Sequence, residues 1–296
     1  MNFVKYFKFF NILSLLLFLS AIFSLFFFGL KFSIDFTGGS ILEVDFEERP
    51  GNPIIQEKLK DLNLGEIVVQ PIGERGVILR MPETDEETHQ KIISKLNEIS
   101  KVEEKRFESI GPTVGKELRD KTVTLIIVSL VFLLIFIAIA FSKISRPISS
   151  WQYGLISIIT LSFDVTIAIA IFSLLGKLYN AQFNIPIVTA LLTILGYTIN
   201  DKVIVFDRIR ENILKEQKKT FEETVNLSLN QTLTRSLSTG TCTLLVLFSL
   251  FFFGGETLKY FSLILIAGII IGTYSSLFLA TPLLVIWLKS KKRGQD

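Results

Sequence analysis

The chain has 296 residues, 49% of them hydrophobic, with 27 phenylalanines and a formal net charge of +3. So much apolar sequence, gathered into long runs, excludes a single soluble domain. The small net charge, with no aromatic residues interleaved among the basic ones, argues against nucleic-acid binding. One cysteine (Cys242) and one histidine (His89) exclude an intrachain disulfide and a Cys/His metal cluster.

In chain order, the first element is an apolar run at 9–30. A helix needs about 20 residues to span a bilayer. The run follows a basic start, as a signal peptide would, but at about 22 residues it exceeds a signal h-region and lacks an A-x-A-like cleavage site. We read residues 1–30 as a short inner segment followed by an uncleaved signal anchor.

Residues 31–121 are mostly polar. Gly38-Gly39 makes a tight turn, with freedom to act as a hinge as a second reading. The pattern then predicts strand 41–47, helix 54–63, strand 66–71, strand 76–81, helix 85–99 and strand 103–109. Ile92, Ile93, Leu96 and Ile99 fall on one helical face, and the acidic residues at 85–87 suit a helix N-terminus. The order β-α-β-β-α-β is that of a small α+β, ferredoxin-like domain. Residues 108–122 are expected to lead back to the membrane with Gly111-Pro112 as a turn.

Residues 122–288 hold five further apolar runs, at 122–141, 151–176, 184–206, 236–254 and 258–288, the last long enough to tilt or project. The fold class is therefore an α-helical polytopic membrane protein with six transmembrane helices in a one-plus-five layout. Lys5, Lys8, Lys143, Arg146, the loop 207–235 and the tail 289–296 carry most of the basic residues near the spans, whereas the other side carries Lys177 and Lys259. The positive-inside bias puts both termini in the cytoplasm and residues 31–121 outside it.

Thr220 with Glu223 predicts a capping box opening a helix that runs into the fifth span. Ser228, Gln231, Thr232, Arg235, Ser238 and Cys242 recur every three or four residues and form a polar stripe. In the last span Gly268, Gly272, Ser276 and Ala280 form a small-residue face for close helix packing.

Three ionisable groups sit within spans: Asp164, Asp201 and Arg235. A charge at mid-span costs about 2.5–3.5 kcal/mol on insertion scales. Asp201 lies roughly 26 Å from the outer start of its span and Arg235 roughly 28 Å from the outer end of its own, so their depths match. Asp164 lies roughly 20 Å from the inner boundary. Two readings of Asp201 with Arg235 stay open: a static salt bridge, or a proton site whose carboxyl binds and releases a proton as the guanidinium moves. Asn200 and the polar stripe would hydrate that path. For Asp164, a hydrogen bond to a neighbouring helix and a relay role are equally open. Lys202 is expected to snorkel to the cytoplasmic surface. Asp207, Arg208, Arg210 and Glu211 suit local ion pairs.

The motifs IDFTGGS (34–40), GYTINDKVIVFDRIREN (196–212), LNQTLTRSLSTGTCTLL (229–245) and FFGGETLKYFSLILIAGIIIGTYSS (252–276) resemble the SecF family over essentially the whole chain. These are membrane subunits of the bacterial Sec protein-export machinery, within the RND superfamily. The resemblance implies an accessory, non-enzymatic role in translocation across the cytoplasmic membrane, driven by the proton motive force with no cofactor. It implies SecD as a heterodimeric partner, beyond it the SecYEG channel, YajC and YidC, and contact with the translocating polypeptide. The one-plus-five layout, half of a twelve-span transporter, independently asks for another half. The family's intramembrane Asp maps onto Asp201 and its fifth-span Arg onto Arg235. Lys202 departs from the small hydroxyl residue usual at its position, and Phe163 from the histidine often found there.

Two alternative functions fit the sequence less well. An RND-type exporter of lipid or hydrophobic compounds would need a larger outer domain than residues 31–121 supply. An intramembrane aspartyl protease using Asp164 and Asp201 lacks the Tyr-Asp and Gly-x-Gly-Asp contexts of such enzymes.

Overall fold

A computed structural model of the chain describes residues 2–140, 150–215 and 220–293; the basic residues Lys143, Arg146, Lys218 and Lys219 lie outside the described residues. The chain divides into two compact units, one of Met1–Lys31 with Leu125–Asp296 and one of Phe32–Thr124.

After α1 (Phe7–Phe28) and a single helical turn, α2 (Ile34–Thr37), the smaller unit runs β1 (Gly39–Phe46), α3 (Asn52–Leu59), β2 (Val68–Ile72), β3 (Gly76–Met81), α4 (Glu86–Asn97) and β4 (Val102–Ile110). The sheet order is β2-β3-β1-β4 with every neighbouring pair antiparallel. This is the split βαβ arrangement, with β3 between β1 and β2. Alternation builds it: Leu42, Val44 and Phe46 are buried, while Glu43 and Asp45 point to the other face. Those three side chains meet Ile55 and Leu59 of α3 and Ile92 and Leu96 of α4 in one core. Asp85 caps α4 by accepting the Thr88 backbone N–H at 3.0 Å.

The turn at Gly38-Gly39 uses backbone that only glycine adopts freely, with φ +76° and +127°. A Cβ on Gly38 would sit 2.7 Å from the Pro112 Cα, and one on Gly39 would sit 2.9 Å from the Met81 carbonyl oxygen.

The remaining helices are α5 (Pro112–Ala140), α6 (Ser150–Tyr179), α7 (Ile185–Lys215), α8 (Phe221–Phe253), α9 (Gly255–Phe278) and α10 (Ala280–Arg293). Among the described residues, six helical stretches, the last made of α9 and α10 together, are long and apolar enough to cross a membrane. The chain is a multi-pass membrane protein. The segment expected to lead back to the membrane is helical from Pro112 onward, where α5 begins. Proline at the first helical position lacks only an N–H that would be unpaired there anyway, and its fixed φ suits the helix.

The last run is interrupted at Leu279, between α9 and α10. Pro282 explains the break: it donates no hydrogen bond to the Phe278 carbonyl, and its ring crowds that oxygen. The predicted capping box is present at Thr220 and Glu223, and α8 continues unbroken from the loop to Phe253.

Gly268 and Gly272 of α9 face α7 at close range. A Cβ on Gly268 would lie 2.2 Å from Ile194 Cδ1, and one on Gly272 would lie 1.9 Å from Thr198 Cγ2. Ser276 follows on the same face, its hydroxyl donating to the Gly272 carbonyl at 2.7 Å and reaching the Thr198 carbonyl at 3.5 Å. This approach of α7 to α9 brings the charged residues of α7 against the hydroxyls of α9.

Candidate functional site in the membrane unit

Asp201 and Lys202 are consecutive on α7, so their side chains diverge by about 100°. Both point into the protein rather than out of it: Asp201 is 2% exposed and Lys202 is 0% exposed.

Lys202 contradicts the surface role expected for it. Its Nζ lies 2.6 Å from Asp164 Oδ2 of α6 and 3.1 Å from Ser275 Oγ of α9, and Asp164 is itself 0% exposed. Snorkelling serves a lysine that has only lipid beside it. Here a carboxylate on the next helix offers a closer partner than the surface does. The pairing also answers what Asp164 contacts: a lysine ammonium. Phe163 is buried and packs on Phe18 of α1, with ring centroids 6.2 Å apart.

Asp201 has a different environment. The Thr273 hydroxyl of α9 donates to its Oδ2 at 3.5 Å, and Ser236 of α8 faces the same carboxylate. Arg235 is exposed and forms no ion pair with Asp201, although its charge lies near enough to act on that carboxylate. The static Asp201–Arg235 salt bridge is therefore absent. Matched depth fixed the axial position of the two groups, but Ser236, one residue on, takes the rotation that faces α7. Arg235 instead lines a cleft of about 370 Å³ with Val203, Ile204, Asp207, Arg208, Gln231 and Thr232, at the end of α7 where the charges resume.

Asn200 is exposed and does not join Asp201. It lies on the outward face of α7 with Thr189, Thr193 and Gly196. The polar stripe of α8 divides. Ser228 and Thr232 are buried, and Ser228 accepts from Asn212 at 2.9 Å, while Gln231, Arg235, Ser238 and Cys242 are exposed. Past the span, Arg208 pairs with Glu211, and Arg210 with Asp207 at 3.4 Å. Thr273, Ser236 and Ser275 had escaped sequence reasoning. For Thr273 and Ser275 the signal was present, since hydroxyl residues beside the small-residue face of α9, in GTYSS, lie at the depth of the α7 charges.

Among the described residues no three His, Cys, Asp or Glu side chains gather as a metal site would require.

A family model described as "Protein export membrane protein SecD/SecF, C-terminal" matches residues 90–290, and one described as "SecD/SecF GG Motif" matches residues 23–48. The chain belongs to the SecD/SecF family of protein-export membrane proteins. It is 40% identical over 293 residues to a protein translocase subunit SecF of Thermobaculum terrenum, covering 94% of this chain and 91% of that relative. It is 36% identical to a SecF of Anaerolinea thermophila, covering 90% and 87%. Among solved structures, it resembles the crystal structure of SecDF, a translocon-associated membrane protein from Thermus thermophilus, with TM-score 0.85 and 33% identity over 97% of this chain. A second structure, SecDF in a super-membrane-facing form, matches with TM-score 0.71 and 33% identity over 100% of this chain. The chain spans 38% and 39% of those two SecDF chains.

Proposed function

We propose that this chain is the SecF-type half of a protein-translocase complex in the bacterial cytoplasmic membrane, and that a proton exchanged at Asp201 is coupled to protein export. Both termini lie in the cytoplasm on this reading, and the small α+β unit lies outside, where it can meet the translocating polypeptide. SecYEG, with YajC and YidC, belongs to the wider assembly. The protein works by conformational change and needs no cofactor beyond the proton gradient.

The observation that carries the reading is the environment of Asp201, a buried carboxylate with hydroxyl neighbours and no ion pair among the described residues. A buried carboxylate is costly unless a cation pairs with it or a proton neutralises it. Asp164 uses the first solution through Lys202, which leaves the second for Asp201. Arg235, exposed and one residue from Ser236, supplies the charge that on this reading approaches the carboxylate in another state and drives its proton off.

A SecD-type partner is supported by the outward face of α7 and α8. Asn200, Arg235 and Ser238 are exposed there in segments long enough to cross a membrane. Lipid offers such groups no hydrogen bonds, so a second helical half covers them.

The test is export into membrane vesicles carrying this chain with its SecD-type partner. With Asp201→Asn, insertion and partner binding persist, and the stimulation of export by a proton gradient disappears. A variant that responds fully to the gradient removes the proton-site reading. A response to a sodium gradient instead would identify a different coupling ion.

A further inference from the structure

Lys202 of α7 links three helices. Its ammonium has three N–H donors, and two of them are directed at Asp164 Oδ2 of α6 and Ser275 Oγ of α9. The Ser275 hydroxyl donates its own proton to the Gly272 carbonyl at 3.1 Å, which turns its lone pairs to the lysine. The buried Thr198 hydroxyl of α7 neighbours the same carboxylate, without closing a well-formed hydrogen bond to Asp164 Oδ1. The ammonium thus lies against hard oxygen atoms, the Asp164 carboxylate of α6 and the Ser275 hydroxyl of α9. Such a set suits a small cation, and here the cation is covalently part of α7.

We propose that the Lys202 ammonium is a tethered cation filling the acidic site of Asp164 and Ser275, so that this site exchanges no ion and Asp201 is the membrane carboxylate left to do so. The inference rests on the reading of Asp201 as an exchange site for its second half alone. Its consequence is a fixed charge count. With Asp164 permanently compensated, one carboxylate of α7 changes charge per cycle; without the lysine, two buried carboxylates would compete for ions. Lys202 is on this view a specificity-determining residue.

Removal of the ammonium leaves a bare, buried carboxylate, which must acquire a replacement positive charge. The experiment uses the full chain in detergent, carrying Asp201→Asn so that any ion at that residue is already gone. Thermal unfolding is measured in sodium, lithium and choline chloride at equal ionic strength, and infrared spectra report protonated carboxyl groups. With Lys202 in place, the Tm is the same in all three salts, and Asp164→Asn removes no protonated-carboxyl band. With Lys202→Met, either the Tm rises with sodium or lithium concentration, or a protonated-carboxyl band appears. Asp164→Asn abolishes whichever is gained.

The proposal is overturned if the lysine-containing protein already shows a cation-dependent Tm or a carboxyl band that Asp164→Asn removes. It is also overturned if Lys202→Met gains neither signal. The lysine-containing arm decides by itself should Lys202→Met not fold. Failure of the Asp201 reading appears elsewhere, as vesicles whose response to the gradient survives Asp201→Asn, and leaves these measurements untouched.

Discussion

Lys202 Nζ lies 2.6 Å from Asp164 Oδ2, with both side chains fully buried between α6 and α7. Two consecutive residues of α7 thus reach opposite solutions to the same electrostatic problem. Lys202 supplies Asp164 with a fixed counter-charge, while Asp201 is left among hydroxyl groups.

Breaking this pair from one side should be far worse than removing it whole. Lys202→Met or Asp164→Leu alone leaves the remaining buried group without its partner and is expected to cost about 3–5 kcal/mol. The double variant, with no charge to strand, should lose much less. Thermal unfolding of the four proteins in one detergent measures the coupling. Additive losses would show that the two groups do not compensate each other.

The approach of α7 to α9 is set by Gly272. Gly272→Ala drives a methyl group into Thr198 Cγ2 and should cost about 1–3 kcal/mol of stability, as overpacking does. Thr198→Ser removes that carbon and keeps the hydroxyl, so it should restore part of the loss in the double variant. Equal losses with and without Thr198→Ser would count against this contact.

Gly38 and Gly73 offer a controlled comparison in the smaller unit. Both have positive φ, +76° and +55°, but a Cβ at Gly73 meets nothing within 4 Å, whereas at Gly38 it meets Pro112. Gly73→Ala should cost about 1 kcal/mol, from backbone strain alone. Gly38→Ala should cost clearly more, read as a lower Tm or a lower folded yield. Similar effects would mean that the Gly38–Pro112 approach relaxes without penalty.

The N-terminal turn of α4 should weaken in acid. Hydrogen bonds from Thr88 hold the Asp85 carboxyl below its ordinary value, and Gln90 and His89 do the same for Glu86. A carboxyl whose folded value is depressed contributes stability that is fully present above its unfolded value and lost as pH falls through the folded one. Amide exchange of Glu86–Asn97 in the full chain, corrected for intrinsic rates, should therefore accelerate as pH drops below about 4. Asp85→Asn keeps a capping oxygen but removes the titration, and should flatten the Asp85 share of that response. An unchanged pH dependence in this variant would exclude the cap as its origin.

Much of this architecture is legible in the amino-acid order. The strands of the small sheet, α4 and the capping box at Thr220 depend on local spacing, and apolar runs of spanning length announce themselves. Rotation about a helix axis is what the sequence leaves open. Depth arithmetic put Asp201 and Arg235 at one level, yet Ser236 faces the carboxylate and Arg235 turns outward, because one residue along α8 changes direction by about 100°. The same ambiguity hid the destination of Lys202. Whether a lysine within reach of the surface snorkels or turns inward depends on which group the neighbouring helix presents at that depth. That group, Asp164, lies 38 residues earlier in the chain.

The central claim is that Asp201 gains and loses a proton inside the membrane unit. Its most direct test is the infrared carboxyl signal of the complex reconstituted with its SecD-type partner, recorded across the pH range in which the complex stays folded. The account predicts a protonated-carboxyl band that appears and disappears with pH, that Asp201→Asn abolishes, and that Lys202→Met and Asp164→Asn do not. An Asp201 whose charge stays fixed across that range would contradict it.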